Sequence, residues 1–247
     1  MARNQNIDRI LQQWPYEPDN VNVRLARGDN GREVIQMRID MGLLQMETTG
    51  RPDGSRPGGH DTYFDYLLGE EFRDADFRLT EEQCQEADRE FAQFYHRRIC
   101  WLVLRDFRKA VADADHTLDF MDFCAQHSPD EQWTMSHEQH RSFVLFHRIQ
   151  AAALAELEGE RPEAAVHEIN VGLDRLRELF EQQGGEEPFE EDDLVVRLRE
   201  LQESLRDHYH VGRTLQEQLA DAVAAEQYEL AARLRDELAR RAGRSRN

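Results

Sequence analysis

The period of the hydrophobic pattern changes near residue 70, and this change restricts the chain to a small sheet followed by helices. Val21, Val23 and Leu25 alternate with Asn22, Arg24 and Ala26, and Ile35, Met37, Ile39 and Met41 alternate with Gln36, Arg38 and Asp40. A period of two is that of a half-buried strand. Between the runs, Arg27-Gly28-Asp29-Asn30-Gly31 supplies residues that tolerate positive φ, so the segment reads as a β-hairpin with one buried face. Gly42 interrupts the alternation and Leu44 and Met46 resume it, which predicts a long or bulged second strand or one bent into a third. An isolated hairpin buries little. Ile7, Ile10, Leu11 and Trp14 of a short leading helix are therefore expected to cover the apolar face. In this register Ile39→Asp unfolds the element and Arg38→Asp is mild.

From Thr80 onward the apolar spacing is helical, with breaks at Ser128-Pro129, Gly159 to Pro162, Gly184 to Pro188 and near Gly212, giving five or six helices. Thr80-Glu81-Glu82-Gln83 has the form of a capping box. Phe91, Phe94, Tyr95, Ile99, Leu102 and Val103 then follow at helical spacing, so the first long helix is expected to end near Arg105. Ala110-Val111 with Leu118-Asp119 recurs as Ala165-Val166 with Leu173-Asp174, 55 residues on. Each copy follows a short turn, 104–107 in one case and 159–162 in the other. Ala110, Ala114, Ala151, Ala152, Ala155 and Ala165 would let paired helices approach closely. The pattern resembles tetratricopeptide hairpins, although their period of about 34 residues and their Trp/Leu/Gly/Tyr signature are missing.

The fold class is therefore α+β and predominantly α. A β-hairpin element spans 1–70, a TPR-like helical-hairpin domain 80–211, and a terminal helical hairpin 213–241.

Fifty acidic residues against 31 basic ones give a formal charge of −19, which repels phosphate backbones. Direct duplex DNA binding is not expected, because the basic tail from Arg240 to Arg246 is short. Lys109 is the only lysine, and the arginines read as scattered over solvated helix faces. Cys84, Cys100 and Cys124 are odd in number and match neither CxxC ligation nor a disulfide framework, so they are expected as reduced thiols in a cytoplasmic protein. No stretch reaches the ~18 apolar residues of a membrane span, and Met1 to Trp14 has no apolar leader core.

The C-terminal pattern is the most specific. Leu215, Leu219, Ala222 and Val223 form one stripe, and Leu230, Ala231, Leu234 and Leu238 another, with Glu226-Gln227-Tyr228-Glu229 at the turn and Leu234-Arg235-Asp236 beyond it. The Glu-x-aromatic-Glu-x-Ala-Ala-x-Leu-Arg-Asp core resembles the UVR motif of the excision-repair proteins UvrB and UvrC and of the activator of the bacterial protein-arginine kinase. Tyr228 stands where Phe is commoner. The resemblance implies a protein–protein contact carried by Leu215, Leu219, Val223, Tyr228, Glu229, Leu234, Arg235 and Asp236, with Tyr228 packed at the turn against both helices.

Other candidates are weaker. His137, His140 and His147 share a helical stretch without the HExxH arrangement, so no metal and no cofactor is expected. The loop Gly50 to Gly59 could hold an anion through Arg51 and Arg56, but it lacks a P-loop lysine and reads first as a connecting loop. No catalytic residue is identified.

The expected function is that of a non-enzymatic adaptor. It would bind a protein partner, another UVR-bearing protein among the candidates, in nucleotide excision repair, with homodimerisation through the hairpin as a further outcome. The alternatives are a regulator of a stress-linked kinase or Clp protease machine, although the kinase activator's paired CxxC ligands are missing, and an enzyme or anion-binding protein using the Gly50–Gly59 loop.

Overall fold

The computed structural model describes residues 6–183 and 189–244, so the predicted break at 184–188 and the end of the basic tail lie outside the described residues. The chain divides into two compact units, 1–151 and 152–247. The architecture is α+β and mainly α, with one small antiparallel sheet at the N-terminus.

The first unit opens with a short helix α1, Asp8–Gln13, and strands β1, Asn22–Arg27, β2, Glu33–Ile39, and β3, Gly42–Glu47, in the order β1-β2-β3. The interruption at Gly42 is a hairpin turn, because Ile39 pairs with Gly42 across Asp40-Met41 and a third strand forms. Two features of the expected register need correction. Ile35 is fully buried, but Ile39 and Met41 sit at the tip of this hairpin and are exposed, Met41 to 89 %. The polar face is covered as well, since Val34, Gln36 and Arg38 are all buried.

Arginine explains the second feature. The Arg38 guanidinium donates to the carbonyls of Trp14 (3.1 Å), Asp40 (2.9 Å) and Gly42 (2.8 Å), and that of Arg24 lies 4.2 Å from the Trp14 ring centroid while bonding Gln36 Oε1. The leading segment thus reaches the sheet through Trp14 on the arginine face, not on the apolar one. A guanidinium can satisfy carbonyls and an aromatic face together, so binary patterning reads such a face as solvated when it is not.

Helix α2, Tyr63–Glu71, is capped by the Thr62 side chain. Eight helices follow Thr80 among the described residues: α3 (Glu81–Leu104), α4 (Phe107–His127), α5 (Glu131–Glu138), α6 (Arg141–Glu158), α7 (Pro162–Gln183), α8 (Asp193–Tyr209), α9 (Leu215–Ala224) and α10 (Tyr228–Arg244). The excess over five or six arises where no glycine or proline marks the break, as between α5 and α6. The capping box at Thr80 and Gln83 forms, and α3 ends at Arg105 as the sequence predicts.

The 55-residue repeat is present in the backbone of the turns. Arg105 and Glu160 both adopt positive φ, 62° and 56°. Asp106 N–H bonds Trp101 O as Arg161 N–H bonds Glu156 O, the ending in which a left-handed residue closes a helix. Glu226 repeats the device between α9 and α10, with φ 55° and Gln227 N–H on Ala222 O.

The buried face of α3 differs from the apolar stripe in the sequence. Ala87, Glu90, Phe94, Arg97 and Trp101 are buried, whereas Tyr95 and Val103 are exposed. The spacing of three and four is kept, but Glu90 and Arg97 occupy core positions. Glu90 accepts the backbone N–H groups of Tyr63 (2.7 Å) and Phe64 (3.1 Å) at the start of α2, and lies 3.4 Å from Arg51 Nε and 3.1 Å from His116 Nε2. Arg97 forks onto Asp113 of α4 at 2.9 and 2.7 Å, and its third nitrogen donates to the carbonyls of Glu47 and Gly50. Around these charges pack Leu67, Phe77, Phe120 and Phe123.

Two outcomes follow. Removing one partner of the buried pair, as in Asp113→Ala, should destabilise the protein by about 3–5 kcal/mol in urea unfolding. Arg38→Asp should cost about 2–4 kcal/mol by stranding buried carbonyls and burying a carboxylate among them, while Ile39→Asp, at a partly exposed tip, should cost under about 1 kcal/mol; equal losses would refute this register.

Candidate functional site

The C-terminal hairpin is built from both ends by local chemistry. Thr214 caps α9 in a capping box with Glu217, the Thr214 N–H lying 2.6 Å from Glu217 Oε2 and the Glu217 N–H 3.3 Å from the Thr214 hydroxyl. Glu226 in the left-handed region reverses the chain, and α10 begins at Tyr228. The stripes close on one another, with Ala222, Ala231 and Leu234 buried and Leu215 and Leu219 packed against them. Such a core is small, and two short helices need more than this to hold their place.

The remainder is ionic. Arg206, at the end of α8, donates to Gly212 O at 2.9 Å and pairs with Glu217. Burial pushes the Glu217 carboxyl up, but the Thr214 amide and the Arg206 guanidinium outweigh it, with Asn170 contributing, and the net shift is downward. Glu217 thus both caps α9 and ties the hairpin to α8, a role that the apolar pattern does not signal.

The sequence-predicted binding residues divide into two sets. Leu215, Leu219 and Leu234 are inside the hairpin. Val223 and Tyr228 are exposed, at 53 and 69 %, so Tyr228 is not packed between the helices as expected, and Leu230, expected in the second apolar stripe, is exposed as well, at 44 %. It stands at the first position of α10, where its ring projects outward with Glu229 and Arg233 beside it around an open depression. Arg235 and Asp236 are exposed and pair with each other at 3.1 Å.

These residues lie within a segment that the family model of the UvrB/uvrC motif matches. Residues 213–240 carry that motif. It is found in proteins with protein or DNA interactions, excision repair among them. No curated protein and no solved structure matches the chain. The matched segment includes exposed positions, Tyr228 and Glu229 among them, that packing inside this hairpin does not require.

The other candidates are used within the chain. Arg51 is buried and faces Glu86 at 2.9 Å, Glu90 at 3.4 Å and Asp53 at 3.6 Å, and Arg56 pairs with Asp61. Their guanidiniums fasten the Gly50–Gly59 loop to α3 and to the start of α2. Gly58 is required there, since a Cβ would lie 2.7 Å from the Tyr66 ring. His137 Nε2 lies 2.9 Å from Asp88, and His147 is buried; among the described residues no three metal-binding side chains converge. The three thiols are buried, and burial pushes Cys84 up to about 11 and Cys100 to about 12, so both are protonated near neutrality. No helix among the described residues is long and apolar enough to cross a membrane.

Because the Glu217 carboxyl is lowered in the folded state, its contribution is complete above its ordinary value near 4.5 and is lost as pH falls through the lower folded value. Amide-exchange protection of α9 and α10 should therefore fall below about pH 4.5 more steeply than that of α3, and Glu217→Gln should remove the difference.

Proposed function

We propose that the chain is a protein-interaction factor that docks through the exposed edge of its UVR hairpin. The supporting observation is that Val223, Tyr228 and Leu230 remain exposed on a hairpin whose own core is already closed by Ala222, Ala231 and Leu234. Large apolar side chains left at a helix edge beside Glu229 and Arg233 give an anchor with a charged rim, the usual anatomy of a contact between proteins. The formal charge of −19 favours a protein partner over duplex DNA.

By its motif, the partner is another UVR-bearing protein, and nucleotide excision repair is the setting that this resemblance favours. A tetratricopeptide-like role for the middle helices would place a second surface on the α3–α4 hairpin of the first unit. The fully buried Ala110 and Ala114 support the close helix approach such a surface needs.

Affinity capture from native lysate, using the full chain and Tyr228→Ala and Leu230→Glu variants, tests the proposal. Both side chains are exposed, so neither change should shift melting by more than about 0.5 kcal/mol, while loss of a hot-spot aromatic should weaken capture by about 2 kcal/mol, some 30-fold. Unchanged capture of a UVR-bearing protein by both variants would remove the hairpin edge as the docking surface. Duplex DNA bound at micromolar affinity with a steep salt dependence would overturn the choice of a protein partner.

A further inference from the structure

Arg98 is buried in the core of the first unit and, unlike Arg51 and Arg97, forms no ion pair with a carboxylate among the described residues. Its side chain is 1 % exposed. Glu90 faces Arg51, and Asp113 is taken by both prongs of Arg97. Arg98 Nη1 reaches only the Thr117 hydroxyl, at 3.1 Å, and that hydroxyl is itself committed to Asp113 O at 2.7 Å. Arg98 Nε is buried with no hydrogen-bond partner. Burial pushes the guanidinium down to about 10, with Asp113 and Tyr95 opposing the shift from nearby, so it is still charged at neutral pH. Its neighbour His147 adds no charge, being pushed down to about 4 by burial and by Arg98 itself. Chains rarely bury a charge without a hydrogen-bonded counter-ion, because desolvation is then poorly repaid.

Arg98 also lines a cleft. The space between α3, α4, α5 and α6 measures about 530 Å³, within the range of small-molecule pockets. Arg98 and Thr117 supply its buried polar groups, and Phe91, Met121, Phe143 and Val144 its apolar walls. Ala92 and Tyr95 stand at an open side. One buried guanidinium suits a singly charged group. A phosphate carries a second negative charge, which Asp88 on the same wall would oppose. The aromatic and aliphatic walls require the rest of the ligand to be apolar.

We propose that this cleft binds a small monocarboxylate with an apolar body, its carboxylate seated on Arg98 beside Thr117 and its body against Phe91, Met121 and Val144. The site lies in the first unit and is separate from the UVR hairpin, so it stands whether or not the docking proposal does.

The test uses the full chain with octanoate and 3-phenylpropionate, and with their neutral amides, followed by calorimetry and by the Nε–H resonance of Arg98. The carboxylates should bind with Kd below about 1 mM, shift that resonance, and exceed the amides by ~10-fold or more. Arg98→Met should lose this preference. Ala92→Trp, placed at an exposed position of the wall, should block both acids while keeping Arg98, and it decides the matter if Arg98→Met does not fold. Absence of binding at 10-fold that concentration, amides as tight as acids, or undiminished binding by a folded Arg98→Met or by Ala92→Trp would each overturn the proposal.

Discussion

Glu90 and Asp113 hold together elements that apolar contact alone would leave loosely related. Glu90 takes the first amides of α2, where a carboxylate also meets the positive end of the helix dipole, and it faces Arg51 from the Gly50–Gly59 loop. Asp113 fixes Arg97, and through Arg97 the backbone that leaves β3 is bonded to α3. Sheet, loop and three helices therefore share two buried carboxylates. Such pairs contribute less net stability than their geometry suggests, because desolvation offsets attraction. Their effect is to make alternative placements costly, since any shift strands a buried charge. A three-stranded sheet with Met41 and Ile39 exposed at one tip depends on that kind of anchoring.

What the sequence makes legible are the features written in local chemistry. Thr80 with Gln83, the end of α3 at Arg105, the hairpin before β2 and the paired turns 55 residues apart all depend on residues near one another in the chain. The UVR hairpin is legible for the same reason. The long-range choices are not. Reading Glu90 and Arg97 as solvent-facing rotates the inferred face of α3 toward Tyr95 and Val103, because the pattern counts a charge as outward. Arg38 is misread in the same way, its partners being carbonyls that have no signature in the sequence. Tyr228 errs in the opposite direction, as an aromatic at a turn is assigned to a core that Ala222 and Ala231 are too small to extend around it.

The hairpin illustrates how little apolar burial two short helices need when their ends are secured. Two alanines and a leucine close the seam, and the capping box and the Arg206–Glu217 pair set where α9 begins. A larger core would have drawn Tyr228 and Leu230 inward. Keeping the seam small leaves both on the surface, which is a cost to solubility and a gain to recognition. The match to the UvrB/uvrC motif extends through those exposed positions.

The near-absence of lysine acquires a structural meaning in this light. With Lys109 the only lysine, composition alone allows the arginines to be incidental. Several of them are not. Arg97 donates to two carboxylate oxygens and two carbonyls at once while its guanidinium carbon lies 4.5 Å from the Phe94 ring centroid. An ammonium has three donors on one atom and cannot span that arrangement. Arg38 collects carbonyls from the leading segment and from the β2–β3 turn in the same manner. A core that accepts buried cations by enclosing planar, many-handed groups gives Arg51 and Arg97 paired carboxylates, and Arg98 is distinguished from them in having no carboxylate paired with it.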